Sequence, residues 1–460
     1  MPSPTLSRPR SGLSPKAMVL LTAATAALGG LLFGYDTAVI SGAQLFFKST
    51  FQLSNAQLEM AVGVVLLGAM TGAALGGWLT DKLGRRSVLL VTGVCFGVFS
   101  LWTGLATGLG TFVTARFFVG GCIGIASMLT PLYIAEMSPA RIRGALVSLN
   151  QLAITVGIVV AYGVDYALAG QRDWRMMFIS AVIPAIVLVV GMIFLPESPR
   201  WLAKKGRREE AFENFKRLGR ESEAEQEMAD VERVLREETG KFRELFSSGF
   251  RIAVWIGVGL AVFQQITGIN TIIYYAPTIL RDAGFSSARV AILGTVGIGT
   301  VNVLATILSI FLIDRLGRKP LLIIGCAGQA AMLGYVGYAF SQNQHGLAVF
   351  AGVLLYIVFF AISLGPVVWL MLSEIYPTKI RGSAMSLATF ANWFANWVVT
   401  VSFLSLLDHL GTVHTFWLFA ILSLLAILFC IWLVPETKGR SLEEIEESFR
   451  RLGHGPAQAS

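Results

Sequence analysis

The sequence predicts an all-α integral membrane protein with twelve transmembrane helices in two similar six-helix bundles. Three observations predict this fold class: the composition, the recurrence of long apolar runs, and a repeat between the two halves of the chain. Apolar residues make up 55% of the 460 residues and charged residues 14%, with a mean hydropathy of +0.68. Soluble domains carry about 25% charged residues. The composition therefore excludes an ordinary soluble, collagenous or disordered chain.

Apolar runs long enough to cross a bilayer recur along the chain. A helix needs about 20 residues for this, and twelve such runs are present. Their limits are 18–41, 57–79, 88–106, 112–134, 145–168, 175–195, 252–277, 288–313, 320–341, 346–371, 383–407 and 414–434. No small-residue cleavage site precedes or ends the first run, so it predicts a transmembrane helix rather than a signal peptide.

One charged segment separates the first six runs from the last six. Its pattern of charged and apolar residues is typical of short amphipathic helices. The sequence therefore predicts five parts. They are a cytoplasmic N-terminal segment (1–17), an N-terminal six-helix bundle (18–196), a cytoplasmic helical linker (197–251), a C-terminal six-helix bundle (252–434) and a cytoplasmic tail (435–460).

The short loops predict the orientation, because Lys and Arg are enriched in cytoplasmic loops. About 13 such residues lie on the side of both termini, against five on the other side. We therefore expect cytoplasmic termini and a multi-pass protein of the inner (plasma) membrane, in contact with its lipid bilayer. The net charge of +8 resides largely in these loops. No patch of basic and aromatic residues indicates a nucleic-acid partner.

Short motifs recur between the halves at nearly one offset. Asp81–Arg86 (DKLGRR) returns as Asp314–Lys319 (DRLGRK), 233 residues later. Further matches, at offsets of 238 and 239, are Glu136 with Glu374 and Pro196-Glu197 with Pro435-Glu436. The alternative is convergent loop chemistry, but three matches favour a repeat. Parallel repeats are typical of transporters whose substrate binds between two bundles near mid-membrane.

Several classes of chemistry are excluded by the motifs. No G-x-x-x-x-G-K-[ST] phosphate loop is present, which disfavours an ATP-driven pump. The four cysteines fall inside apolar runs and the four histidines lack ligand spacing, so we expect no metal site and no cofactor. No pairing of a nucleophile with a base indicates an enzyme.

Two charges stand out inside the spans, Asp36 and Arg116. Away from span ends they are nearly alone, and the sequence singles out Asp36 as the one deep carboxylate. An intramembrane charge is costly, so such residues usually pair or line water. Both lie about five residues from one end of their helices, hence at one depth, roughly 7 Å inside. Two interpretations stay open: a static salt bridge, or a site that takes up and releases a proton.

A set of amide side chains lies within the spans. They are Gln151, Gln264, Gln265, Asn270, Asn302, Asn392 and Asn396. Amides both donate and accept hydrogen bonds, which suits the hydroxyls of a polyol, and Trp369 and Trp393 offer flat faces for a sugar. The alternative is that the amides bond neighbouring helices to one another. For one amide the two interpretations are balanced; the cluster favours a binding site.

The loop motifs predict a gate. Positive charges at the cytoplasmic helix ends lie close in sequence to glutamates that repeat between the halves. This set comprises Arg85, Arg86, Glu136, Arg143, Arg318, Glu374 and Arg381. Opposite charges there can hold the cytoplasmic face closed and release it. Topology signals alone explain the Arg and Lys residues but not the repeated glutamates.

These motifs, taken together, identify a resemblance. They are GGLLFGYD at 29–36, DKLGRR at 81–86, PLYIAE at 131–136 with Arg143-Gly144, PESPRWL at 196–202, QQITGIN at 264–270 with Tyr274-Tyr275, DRLGRKP at 314–320, Gly365-Pro366 with Trp369, and PETKG at 435–439. From about residue 18 to 448 the chain resembles the sugar porter branch of the major facilitator superfamily. It is similar to bacterial xylose–proton and galactose–proton symporters and to facilitative glucose transporters.

The resemblance implies roles for individual residues. The family's sugar contacts fall on Gln151, Gln264, Gln265, Asn270, Asn302, Trp369, Asn392 and Trp393, with Phe33 and Tyr275 lining the cavity. The family's proton-coupling aspartate falls on Asp36 and its partner on Arg116. Facilitative animal transporters carry asparagine at the position of Asp36, which favours symport here. A proton-linked xylose relative carries a glutamate where this chain has Ala181.

The resulting prediction is a monomeric transporter that imports a monosaccharide, a hexose or pentose, with a proton by alternating access. The alternatives are an uncoupled sugar uniporter and a membrane sugar sensor. The short tail disfavours the sensor. A drug-efflux porter is possible on fold alone, but the amide-rich set argues against it.

Overall fold

The computed structural model describes residues 14–236, 245–247, 251–342, 346–376 and 380–438. The described residues are helical apart from turns and short connections. Most of the predicted N-terminal segment and of the cytoplasmic tail lies outside them.

Seven helices make up the first half. They are α1 Pro15–Thr50, α2 Asn55–Leu83, α3 Arg85–Gly104, α4 Leu109–Met137, α5 Arg143–Ala169, α6 Trp174–Ile179 and α7 Val182–Phe194. Three short helices follow in the predicted linker, α8 Pro199–Lys204, α9 Arg208–Arg217 and α10 Glu221–Arg236.

The second half repeats this plan. Its helices are α11 Arg251–Ile266, α12 Ile269–Asp282, α13 Ala288–Leu316, α14 Arg318–Ser341, α15 Leu347–Ala361, α16 Leu364–Ile375 and α17 Arg381–Trp432. Among the described residues, 11 stretches are long and apolar enough to cross a membrane. One of them, α17, has 52 residues and a non-helical Gly411 with a φ of 77°, so it holds two spans. The predicted count of twelve spans is confirmed.

Three of the spans are each made of two helices rather than one. Pro184 has no N–H to donate to the Ser180 carbonyl, so the helix is interrupted between α6 and α7. Gly268 has a φ of 95°, a left-handed conformation that separates α11 from α12. Ser363 interrupts the span of α15 and α16. Non-helical backbone at membrane depth is tolerated where it is buried in protein or lines a water-filled cavity.

The first half packs closely because glycine brings its helices together. A Cβ on Gly34 of α1 would lie 1.8 Å from the Ile154 carbonyl oxygen of α5, and one on Gly120 of α4 would lie 2.0 Å from the Val65 carbonyl oxygen of α2. Small residues allow this backbone approach in membranes. The close packing sets α1 between α4 and α5, which brings the charged side chains of α1 and α4 together.

Candidate functional site

Two faces of the molecule are distinguished by the charged residues that they carry. The face that bears Arg85 and Arg318 is called the basic face, and the face that bears Lys48 and Asp408 is called the opposite face.

An ion pair lies inside the first half. The Arg116 Nη1 of α4 contacts the Asp36 Oδ1 of α1, and the two residues are 1% and 3% exposed. The guanidinium also lies 5.4 Å from the centre of the Phe178 ring. The second carboxylate oxygen and two guanidinium nitrogens have no hydrogen-bond partner among the described residues. The pair is thus only partly satisfied, and its role in proton transfer stays a prediction.

The ion pair lines a small cavity between the helices. Most of the lining comes from α1, α2 and α4 of the first half. The second half contributes Tyr274 of α12 and Trp393 of α17, and the Trp393 ring lies 5.5 Å from the ring of Phe33. The charged pair therefore faces a space that both halves enclose.

Amide side chains form a hydrogen-bonded network inside the second half. The Asn392 Nδ2 donates to the Gln264 Oε1 at 2.7 Å, and the Gln265 Nε2 donates to the Asn392 Oδ1 at 3.1 Å. The Asn270 Nδ2 in turn donates to the Gln265 Oε1 at 2.6 Å. The Gln264 Nε2 bonds the carbonyl of Leu364, where α16 begins. The network spans both helix breaks, at Gly268 and Ser363, so the breaks and the amides form one polar region.

The other predicted sugar contacts lie in different surroundings. Asn302 of α13 is buried and Gln151 of α5 is half-buried, and neither side chain bonds the amide network. Trp369 of α16 packs against the apolar core of the second half. Tyr275 does not line the cavity: it donates to the Thr400 carbonyl and stacks on Phe403. The neighbouring Tyr274 takes that place, because successive helical residues point to different faces.

Two further carboxylates inside the predicted spans are also buried, and of the three Asp36 lies farthest from a helix end. Asp165 of α5 is fully buried and accepts the Gly42 N–H at 3.0 Å, and Glu59 of α2 is 3% exposed. Both residues lie inside the predicted spans, within a few residues of a span end.

The halves are bonded to each other at the opposite face. The Gln44 Nε2 donates to the Tyr274 carbonyl at 2.5 Å, and the Tyr162 hydroxyl donates to the Ile273 carbonyl at 2.8 Å. The Ile273 carbonyl needs such a donor because Pro277, one turn later, has no N–H. Nearer the surface, Asn55 bonds Asp408 at 2.6 Å. The cavity is closed toward this face.

At the basic face, each half has a cluster of hydrogen bonds around one glutamate, which is called its corner; the first corner is buried and the second is partly exposed. In the first half, the Arg85 Nε donates to the Glu136 Oε2 at 3.0 Å, and the Ser198 hydroxyl bonds the same carboxylate. The carboxylate of Glu197 accepts the backbone N–H groups of Arg85 and Arg86. These bonds fix the start of α3 at Gly84, whose φ is 95°.

The second half repeats this corner. The Arg318 Nη2 donates to the Glu374 Oε1 at 2.9 Å, and Thr437 donates to Glu374 at 2.5 Å. Glu436 accepts the backbone N–H groups of Arg318 and Lys319. Partial burial acts to raise the pKa of Glu436, but these N–H donors together hold it below its usual range.

The remaining predicted gating residues differ between the halves. Arg143 lies 3.4 Å from Glu227 of the linker helix α10, whereas Arg381 donates to the carbonyl of its own neighbour Tyr376. The Arg86 Nε bonds the Met192 carbonyl at the end of α7. Among the described residues, each of these contacts stays within one half or joins it to the linker. The predicted latch is therefore not seen as a direct bond between the two bundles.

Sequence and structure comparisons agree with this architecture. The sequence model of the family described as Sugar (and other) transporter matches residues 22–449. The galactose–proton symporter of Escherichia coli K12 is 41% identical over 450 residues, covering 96% of this chain and 97% of its own. The D-xylose transporter of Levilactobacillus brevis is 40% identical over 94% of this chain and 96% of its own. The chain belongs to the sugar transporter family.

Solved structures place this sugar transporter in the major facilitator superfamily. The inward-open form of the xylose transporter XylE from E. coli is 36% identical, with a TM-score of 0.83 over 94% of this chain and 99% of its own. The proton:xylose symporter XylE bound to 6-bromo-6-deoxy-D-glucose gives a TM-score of 0.79 at 36% identity, over 95% of this chain and 100% of its own. The predicted fold of two six-helix bundles is confirmed. The chain belongs to a family of transporters, which agrees with the prediction that it is not an enzyme.

Proposed function

We propose that this chain imports a monosaccharide together with a proton by alternating access of one central site. The observation that carries the proposal is the partly satisfied pair of Asp36 and Arg116, which faces a cavity enclosed by both halves. The similarity to curated relatives named as galactose–proton and arabinose–proton symporters supports the same substrates.

The ion pair supplies the coupling. Ionised Asp36 holds Arg116, whereas the protonated, neutral acid loses most of that attraction. With the cavity open to the opposite face, Asp36 takes a proton and the site binds sugar. With the cavity open to the basic face, sugar and proton leave and the pair re-forms. Uphill transport then draws on the proton gradient.

The amide network of the second half supplies the recognition. Gln264, Gln265 and Asn392 carry both donors and acceptors, which matches a molecule whose hydroxyls are both. The rings of Phe33 and Trp393 offer apolar faces for the C–H surface of the sugar ring. We assign Asn302 and Gln151 to the same site because the sugar contacts of the family that the chain resembles fall on them.

The bundles 18–196 and 252–434 move against each other as units, with 197–251 as the linker. The basic face is the cytoplasmic one, since Lys and Arg favour cytoplasmic loops, so both termini are cytoplasmic and the membrane is the inner (plasma) membrane. A single chain encloses the whole cavity, so a monomer suffices.

Uptake into proteoliposomes tests the proposal. Labelled hexoses, pentoses and inositols are offered with and without an imposed pH gradient, and a protonophore serves as the control. We expect one or a few monosaccharides to accumulate above equilibrium only when the outside is acidic. Equilibration without accumulation would favour the uncoupled uniporter, and uptake of none of the sugars would exclude sugar transport.

A further inference from the structure

A carboxylate that the coupling scheme does not use lies between the two halves at the opposite face. Glu59 belongs to α2 of the first half and is 3% exposed. Its Oε1 accepts the backbone N–H of Ser405 at 2.8 Å, and its Oε2 accepts the hydroxyl of the same residue at 2.7 Å. Ser405 belongs to α17 of the second half. Both carboxylate oxygens therefore bond a single residue across the interface.

This contact depends on its two donors. No Lys or Arg of the described residues forms an ion pair with Glu59, so the buried charge is compensated by hydrogen bonds alone. Hydrogen bonds to an ionised group are roughly twice as strong as neutral ones. Separating the halves at this face removes both bonds at once and exposes the carboxylate to water.

The surroundings hold Glu59 in place. Helix α2 begins one turn earlier with a capping box, in which Ser54 and Gln57 bond each other's backbone N–H groups. The other bonds between the halves at this face differ in kind. Gln44 and Tyr162 are neutral donors to backbone carbonyls, and the contact of Asn55 with Asp408 is exposed to solvent. Among the described residues, Glu59 is the carboxylate that is buried between the halves at this face.

We propose that Glu59 and Ser405 form a latch that holds the opposite face shut, and that the latch releases each time the central site opens to that side. The proposal rests on the alternating access of the proposed function. It adds a residue pair whose bonds set how often the opposite face opens.

Alkylation of a reporter cysteine tests the latch. The four native cysteines are replaced, and Ile40→Cys is introduced in the cavity wall. A membrane-impermeant maleimide is added from the opposite face of proteoliposomes. Glu59→Ala should raise the alkylation rate roughly tenfold, because two charge-assisted bonds are lost. Met60→Ala, at the neighbouring position of α2, is the matched control and should leave the rate unchanged, because the Met60 side chain is 48% exposed and points away from Ser405.

An engineered cross-link gives the converse test and does not depend on the fold of the alanine variant. Glu59→Cys combined with Ser405→Cys should form a disulfide under oxidising conditions, protect the reporter cysteine and stop net transport. A reductant should restore both. An unchanged alkylation rate in Glu59→Ala, or full transport by the cross-linked protein, would overturn the latch.

The experiments distinguish a failure of the latch from a failure of the proposed function. Alkylation requires neither sugar nor a pH gradient, so it reports the latch even if none of the sugars is transported. Conversely, accumulation of sugar with an unchanged alkylation rate would retain the proposed function and remove the latch.

Discussion

The two halves of the chain can be compared at two depths, the basic face and the middle of the membrane. At the basic face they match: Glu136 accepts Arg85 and a hydroxyl, and Glu374 accepts Arg318 and a hydroxyl. The hydroxyls come from Ser198 and Thr437, which occupy equivalent places after the last helix of each half.

At mid-membrane the halves differ. The first half buries the ion pair of Asp36 and Arg116, and the second half buries a network of uncharged amides that includes Gln264, Gln265 and Asn392. We infer that both halves retain the corner because it fixes the helix ends of each bundle at the basic face. On the proposed function, the centres differ because one half provides the proton site and the other provides most of the sugar site.

The strongest test of this division is Asp36→Asn, which mimics the protonated acid permanently. The variant should lose proton-driven accumulation entirely, because no proton is taken up or released. It should retain exchange of labelled sugar across vesicles that are loaded with sugar, since exchange needs no net proton release. Uptake under a pH gradient and counterflow without one measure the two activities.

Asp165→Asn is the matched control, because Asp165 is a second buried carboxylate of the first half. Its amide can still accept the Gly42 N–H, so accumulation should persist. Accumulation that survives in Asp36→Asn would exclude Asp36 as the proton carrier. Loss of exchange as well would make Asp36 a structural residue.

The second half is tested by Gln265→Ala and Asn302→Ala. Each should weaken sugar binding by about 1–3 kcal/mol, the cost of leaving buried polar groups unpaired. Calorimetry on the purified protein measures this. Of these two residues, Gln265 is bonded within the amide network and Asn302 is not. Gln265→Ala should therefore also lower the melting temperature, whereas Asn302→Ala should leave it nearly unchanged.

Gln329→Ala is the control for these two variants. Gln329 is a fully buried amide of α14 in the same half, outside the network. Its replacement should leave sugar affinity at the parental value. If affinity is normal in both Gln265→Ala and Asn302→Ala, the sugar site lies elsewhere.

Substitutions in the two corners should have a smaller effect, and on the rate of transport. Glu136→Gln and Glu374→Gln should slow transport several-fold and leave sugar binding nearly intact, because each corner must fit the other half when the basic face closes. The slowing should be larger for Glu136, whose side chain is 7% exposed against 21% for Glu374. Accessibility of a cavity cysteine from the basic face should rise in both variants. Normal transport with unchanged accessibility would remove the gating role.

Sequence patterns were sufficient for the fold and for the pairing of the halves. Apolar runs of fixed length located the twelve spans, since a bilayer sets the length of a helix. The expectation that Asp36 and Arg116 meet is confirmed. The predicted depth was wrong for Asp36, because α1 extends to Thr50 and the apolar run ends earlier than the helix. Repeated motifs located both corners, although not the hydroxyls of Ser198 and Thr437 that complete them.

Contacts across distant helices were beyond the reach of these patterns. The burial of Glu59 and Asp165 depends on which helices extend past them, and that is a property of packing. Tyr274, and not the predicted Tyr275, lines the cavity, because successive helical residues point to different faces. The left-handed break at Gly268 was not predicted either. A glycine in an apolar run signals such a break only weakly, because most glycines here serve close packing.

The smallest effect is expected for Glu436→Gln, which tests the corner of the second half by pH. A carboxyl group whose pKa is lowered on folding stabilises the protein above its unfolded pKa, about 4.3 for Glu. This stability is lost as the pH falls through the lower, folded pKa. Because Glu436 is half exposed, its contribution should stay below about 1 kcal/mol.

The variant should therefore melt slightly below the parent protein at pH 7, by at most about 2 °C. The gap should narrow when both proteins are melted below pH 4, where the parent carboxylate becomes protonated. Glu225→Gln, an exposed position of α10, is the control and should show no gap at either pH. A gap of equal size at both values would mean that the shape of the side chain, and not its charge, holds the start of α14 in place.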